Sequence, residues 1–197
     1  MMKHRYEKGI NDKTIIMLHG TGGNESDLLT LAMFIDPKAH KIGIRGNIVE
    51  NGMNRYFKRY PDGSFDLDSL NTESEELYQE MKNLLAQYDL REDSVTILGY
   101  SNGSNIFLNI MRLYQTKFKN ALLFHPSRSN TTTPFKNQEI NLFITYGDQD
   151  PYVNKDDFQQ LEKDLGQEGI QFTTYSHQFG HSLTQDELEH ARIFYGK

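Results

Sequence analysis

A doubly wound α/β fold, with a mostly parallel sheet and helices on both faces, is predicted by three features of this 197-residue chain. Short apolar runs rich in β-branched and aromatic residues recur along it, each short enough to be one buried strand. Stretches with apolar residues three or four apart lie between those runs, which is the helical spacing. The length suits one domain spanning 1–197, and no linker, repeat or low-complexity tract divides it.

In order, the strand candidates are TIIML (14–18), KIGI (41–44), SVTIL (94–98), ALLF (121–124), INLFITY (140–146) and IQFTTY (170–175), each read as buried on both faces. After the first, a glycine-rich loop should lead into a helix near Glu25. Leu70, Leu77, Met81, Leu84, Leu85 and Tyr88 mark a second helix, Ile106, Ile110, Leu113 and Tyr114 a third, and Phe158, Leu161 and Leu165 a fourth. The last helix lies in TQDELEHARIFY, where Thr184 and Glu187 have the spacing of a capping box. Two weakly patterned stretches remain. The interval 45–67 carries exposed-looking aromatics suited to walling a pocket, and the polar 125–137 reads as a mobile loop.

Composition excludes several function classes. The chain has 27 acidic and 21 basic residues, and its densest basic window is the short NRYFKRY, so no nucleic-acid partner is expected. Cysteine is absent, which removes disulfides, thiolate metal sites and thiol nucleophiles. The N-terminal residues lack the apolar core of a secretory signal, and no run is long enough to span a membrane, so a cytoplasmic location is expected.

The chemistry is expected beyond the carboxyl ends of the strands, where doubly wound sheets bind ligands. Gly99, Ser101 and Gly103 in LGYSNGSNI form G-x-S-x-G between a strand and a helix, the pattern of a serine nucleophile on a tight turn. A serine needs a base, and the base needs an orienting carboxylate, in the chain order serine, acid, histidine. His181 sits in a glycine-containing loop between the last strand and helix and is the expected base; His177 closes the strand before it, and His190 falls inside the helix. Asp150 ends the preceding strand and is held extended by Pro151, whereas Asp148 follows a glycine and suits a turn. The backbone N–H groups of Thr21, in LHGTGGNE, and of Asn102 are the expected oxyanion donors. A phosphate loop is disfavoured because Glu25 stands where the third glycine of G-x-G-x-x-G belongs. No metal is expected: H-E-x-x-H is missing, and the HQFGH pair lies on a loop. His19, Arg45, Tyr56, Phe57 and His125 are the expected pocket residues, with His19 also suited to bracing its loop and His125 to a structural role.

Taken together, LHGTGGNESDLL, RGNIVENGMNRYFKR, LGYSNGSNI, YGDQDPYV and GHSLTQDEL resemble the serine carboxylesterases of the small phospholipase/carboxylesterase family, in the α/β-hydrolase superfamily. The bacterial members associated with hydroquinone and quinone stress are the most similar. The resemblance covers about residues 13–195 and implies a Ser101–Asp150–His181 triad, hydrolysis of small carboxylic esters, no cofactor, no lid domain and often a homodimer. An acyltransferase or thioesterase with the same residues, or a non-catalytic small-ligand-binding protein, is the alternative.

Overall fold

A computed structural model describes all 197 residues. Its seven-stranded sheet is built from β1 (His4–Glu7), β2 (Thr14–Leu18), β3 (His40–Ile44), β6 (Val95–Tyr100), β7 (Asn120–Phe124), β8 (Asn141–Gly147) and β9 (Gln171–His177). A separate hairpin pairs β4 (Ile48–Glu50) with β5 (Met53–Arg55). The spatial order is β1-β3-β2-β6-β7-β8-β9, and only β1 runs antiparallel, along β3. The chain leaves β2 for β3 on one side and returns to β6 on the other. That reversal opens a crevice at the carboxyl ends of β2 and β6, the place where such sheets hold ligands.

Five helices cover the sheet: α1 (Leu29–Ile35), α2 (Leu67–Gln87), α3 (Asn102–Leu113), α4 (Lys155–Gln167) and α5 (Gln185–Tyr195). Side chains of α2, α3 and α4 join one apolar cluster, and those of α1 and α5 join a second on the other face. The helix starts are fixed by side-chain acceptors: Asp66 takes the Ser69 N–H, Asn154 takes the Asp156 N–H, and Thr184 and Glu187 form the expected reciprocal capping box. Helix α3 is buried along nearly its whole length, so it runs through the core and fixes the turn that precedes it. No helix is long and apolar enough to cross a membrane.

Four expectations need correction. Strand β9 lies at the sheet edge and alternates in exposure, because one flank has no neighbouring strand. Helix α1 begins at Leu29, after turns that occupy 25–28. The stretch 45–67 holds the β4–β5 hairpin, and its Tyr56 and Phe57 are fully buried in the main core. Burying an aromatic side chain of that size is worth about 1.5–3 kcal/mol, which outweighs the lack of periodic pattern around them. The stretch 125–137 is tied down: Asn130 Nδ2 donates to Asn109 Oδ1 at 2.7 Å, Arg112 donates to the Thr133 carbonyl, and Phe135 N–H donates to Glu168 at 2.6 Å.

Candidate active site

Ser101 follows β6 and opens α3 with φ 50° and ψ −109°, a conformation that costs a non-glycine residue about 1–3 kcal/mol. The surroundings hold it there. Its N–H donates to the Phe124 carbonyl at 2.8 Å, and its own carbonyl accepts the Asn105 N–H at 2.9 Å. A Cβ on Gly103 would stand 2.1 Å from the Leu18 carbonyl oxygen, so only glycine lets α3 start this close to β2. Ser101 occupies the N-cap position but makes no side-chain cap bond, which leaves its hydroxyl facing the crevice.

Asp150 and His181 come from the loops after β8 and β9 and meet at the same edge. The Nδ1–H of His181 donates to Asp150 Oδ2 at 2.6 Å. Asp150 Oδ1 accepts the N–H groups of Tyr152 and Val153 at 2.8 and 3.1 Å. Burial alone would raise the Asp150 pKa, but hydrogen bonds from two histidines and the Tyr152 amide hold it far below the usual carboxylate range. The His181 ring lies between Tyr100 and Tyr152, and the Tyr100 hydroxyl donates to the His181 carbonyl at 2.7 Å. By contrast Asp148 is half exposed beside Lys155, and His190 is exposed on α5.

Across the crevice, neither the Thr21 nor the Asn102 N–H has an acceptor within the chain. The loop carrying Thr21 is stiffened by Gly22 N–H donating to the Asn54 carbonyl, and by His19. The Nδ1–H of His19 donates to the Gly20 carbonyl at 2.6 Å, so its Nε2 is the lone pair that accepts the Gly46 N–H at 3.1 Å. Burial lowers the His19 pKa and keeps this neutral form. Both ring nitrogens are thereby spent on bracing.

A cavity of about 410 Å³ joins these parts, lined by Thr21, Ser101 and His181 and walled by Met53, Arg55 and Arg59 together with Tyr100 and Tyr152. None of the five expected pocket residues lines it. His19 is bracing; Arg45 turns away to pair with Glu25 at 2.5 Å; Tyr56 and Phe57 are core; His125 is wholly buried behind Asp150. The segment 45–67 does supply a wall, through β5 and the residues after it, whereas 125–137 supplies none. Asn102 also contributes more than its amide, since its Oδ1 accepts the Tyr56 N–H at 2.7 Å and ties that wall to the serine turn.

With this geometry in view, the comparisons with known proteins are specific. The family model "Dienelactone hydrolase family" matches residues 38–195. The chain belongs to the dienelactone hydrolase family. It is 40% identical to "Putative hydrolase MhqD" of Bacillus subtilis (strain 168) over 200 residues, 98% of each protein. Among solved structures, the Bacillus cereus carboxylesterase superposes with a TM-score of 0.95 at 34% identity, covering 100% of this chain and 94% of that one. YahD, solved with malic acid, gives 0.92 at 32% identity, covering 100% and 98%. This dienelactone hydrolase family member is therefore an α/β-hydrolase of the carboxylesterase type, close to MhqD, with no separate lid domain.

One part of this family member's site escapes sequence reasoning. Behind Asp150, His125 bridges two carboxylates: Nδ1 lies 2.8 Å from Asp150 Oδ2, and Nε2 lies 3.3 Å from Glu187 Oε1. All three side chains are fully buried. Only Nδ1 is hydrogen-bonded, while Nε2 faces Glu187 Oε1 at ion-pair distance without a hydrogen bond; burial works against a charge on the ring, but Asp150 and Glu187 outweigh it and push the His125 pKa up to about 9. Glu187 is pulled down in turn, its desolvation outweighed by His125 and Thr145. His177 completes the cluster, 3.5 Å from Glu187 Oε2. His125, His177 and Glu187 are close enough to be considered as a cation site. The donor set argues against one: His177 Nδ1 accepts the Phe179 N–H at 3.2 Å, so the remaining proton position is Nε2, which faces Glu187 without a hydrogen bond and has no lone pair to offer an ion. Glu187 was legible only as a cap, which it is, through the Thr184 N–H on Oε2.

Proposed function

We propose that the chain forms one α/β-hydrolase domain acting as a serine carboxylesterase on small carboxylic esters. The observation that carries this reading is the unspent Ser101 hydroxyl on a strained turn, sharing a cavity with a His181 ring held at Nδ1 by buried Asp150. Fixing Nδ1–H on the carboxylate leaves Nε2 as the lone pair that takes the Ser101 proton. The hydroxyl oxygen attacks the ester carbonyl, and the tetrahedral oxyanion is met by the Thr21 and Asn102 amides, which have no other acceptor. His181 then protonates the leaving alcohol, and water repeats the cycle on the Ser101 ester. Asp150 keeps the ring oriented and stabilises its charged form.

Similarity to the Bacillus cereus carboxylesterase supports the reaction class. The test is hydrolysis of a short-chain 4-nitrophenyl ester. Ser101→Ala should lose on the order of 10⁴ or more in kcat. Equal rates for the two proteins overturn the proposal.

A further inference from the structure

Asp150 receives more donors than orienting one histidine requires. Its Oδ1 takes two backbone N–H groups, and the Oδ2 that accepts His181 Nδ1–H at 2.6 Å also accepts His125 Nδ1–H at 2.8 Å. The two rings stand 5.0 Å apart between centres, at 68°. His125 reaches this place with φ 49°, a backbone that few residues other than glycine adopt, just as Ser101 does with φ 50° after the neighbouring strand. Its N–H donates to Thr145 Oγ1 on β8 at 3.2 Å, so the strand that leads to Asp150 also fixes the turn that carries His125.

Satisfying a buried oxygen takes only a neutral donor, such as a hydroxyl or an amide. The chain places an imidazole there instead, and commits a second buried carboxylate, Glu187, 3.3 Å from its far nitrogen. Burial opposes a charge on that ring, but Asp150 and Glu187 push its pKa up to about 9. Asp150 and Glu187 face His125 among the rings of His177, His181 and Tyr100, while Asp150, His125, Tyr100 and Tyr152 face His181. A cation so placed pins the carboxylate that orients His181. It also draws on the same negative charge that steadies His181 when that ring takes the Ser101 proton.

We propose that His125 is a positioning residue of the hydrolytic site, which holds Asp150 against His181 and shares its charge, with Glu187 as the counter-ion behind it. This deepens the esterase reading and rests on Ser101 as the nucleophile. The experiment compares His125→Leu with His125→Asn on a short-chain 4-nitrophenyl ester. Leucine removes donor and charge; the asparagine amide keeps a neutral donor near the place of Nδ1 and tolerates the positive φ. Loss of one hydrogen bond to a charged group predicts kcat lower by about ten- to hundredfold in His125→Leu, with KM little changed, and much of that recovered in His125→Asn. With the shared charge gone, the acid limb of kcat/KM should move up by about one pH unit in His125→Asn.

Proton NMR gives a readout independent of turnover. The His181 Nδ1–H resonance, identified by its loss in His181→Gln, should move to lower field in His125→Asn, because the undivided carboxylate charge tightens that bond. In the wild-type protein, ¹⁵N-labelled histidine should show the His125 ring protonated on both nitrogens at neutral pH, whatever the variants do. Activity that falls only with the folded fraction while the acid limb stays in place, an unmoved His181 resonance, or a neutral His125 ring overturns the proposal. A protein inert towards every ester removes the nucleophile reading instead, and the two NMR measurements still decide on His125.

Discussion

His125, fully buried, and Arg59, partly buried, are cations near the same edge of the sheet, yet their neighbours differ in sign. His125 has a carboxylate within 3.3 Å of each nitrogen, and the group of Asp150, His125, Glu187 and His181 holds two acids for its buried cation. Arg59 has another arginine beside it and buried nitrogen with no acceptor. A charge that serves the architecture is paired when the chain folds, since an unpaired one forfeits several kcal/mol. Arg59 keeps its charge beside another cation with one buried donor unpaired, and the fold carries that cost.

Breaking the paired side should have the largest effect. His125→Leu leaves Asp150 and Glu187 buried without their cation, which predicts a loss of about 3–5 kcal/mol in urea unfolding at neutral pH. A loss below about 1 kcal/mol would mean that His125 is not the charged bridge. Glu187→Gln keeps an amide oxygen for the Thr184 cap and removes only the charge, so a smaller loss of about 1–3 kcal/mol is expected.

The same pair predicts a pH effect. His125 faces Asp150 and Glu187, with the rings of His177, His181 and Tyr100 packed around it. Its folded pKa, up to about 9, exceeds that of an unfolded histidine, about 6.5. The stability it contributes is therefore complete below about pH 6.5 and is lost as pH rises through about 9. Melting temperature should fall across that window, and the fall should begin at lower pH in Glu187→Gln. A flat profile in both proteins would contradict the assignment. On the unpaired side the expected effect is the smallest: Arg59→Gln exchanges one cation–π contact for relief of repulsion and should change stability by no more than about 0.5 kcal/mol. A loss comparable to that of His125→Leu would erase the contrast.

What was legible in the sequence follows the range of the interactions. The sheet strands other than β1, the capping box and the strand-end positions of Ser101, Asp150 and His181 are set by local pattern and turn chemistry, so each announces itself within a few residues. Tyr56 and Phe57 were misassigned to the pocket because their burial depends on a hairpin whose strands are three residues each, too short to show a period. His125 and Glu187 are 62 positions apart, and nothing in either neighbourhood signals that the α5 cap also faces a histidine after β7. Arg55 and Arg59 did carry a signal, as the densest basic window, but a window that short could not indicate a pocket wall.

Asn102 joins the two regions in one residue. Its amide faces the crevice from the first position of α3, while its side chain holds the Tyr56 N–H, one residue from Arg55. The cavity wall and the serine turn thus share a single mechanical reference point. A change at Asn102 would release the wall and the turn together, because one side-chain bond and one amide of the same residue serve both.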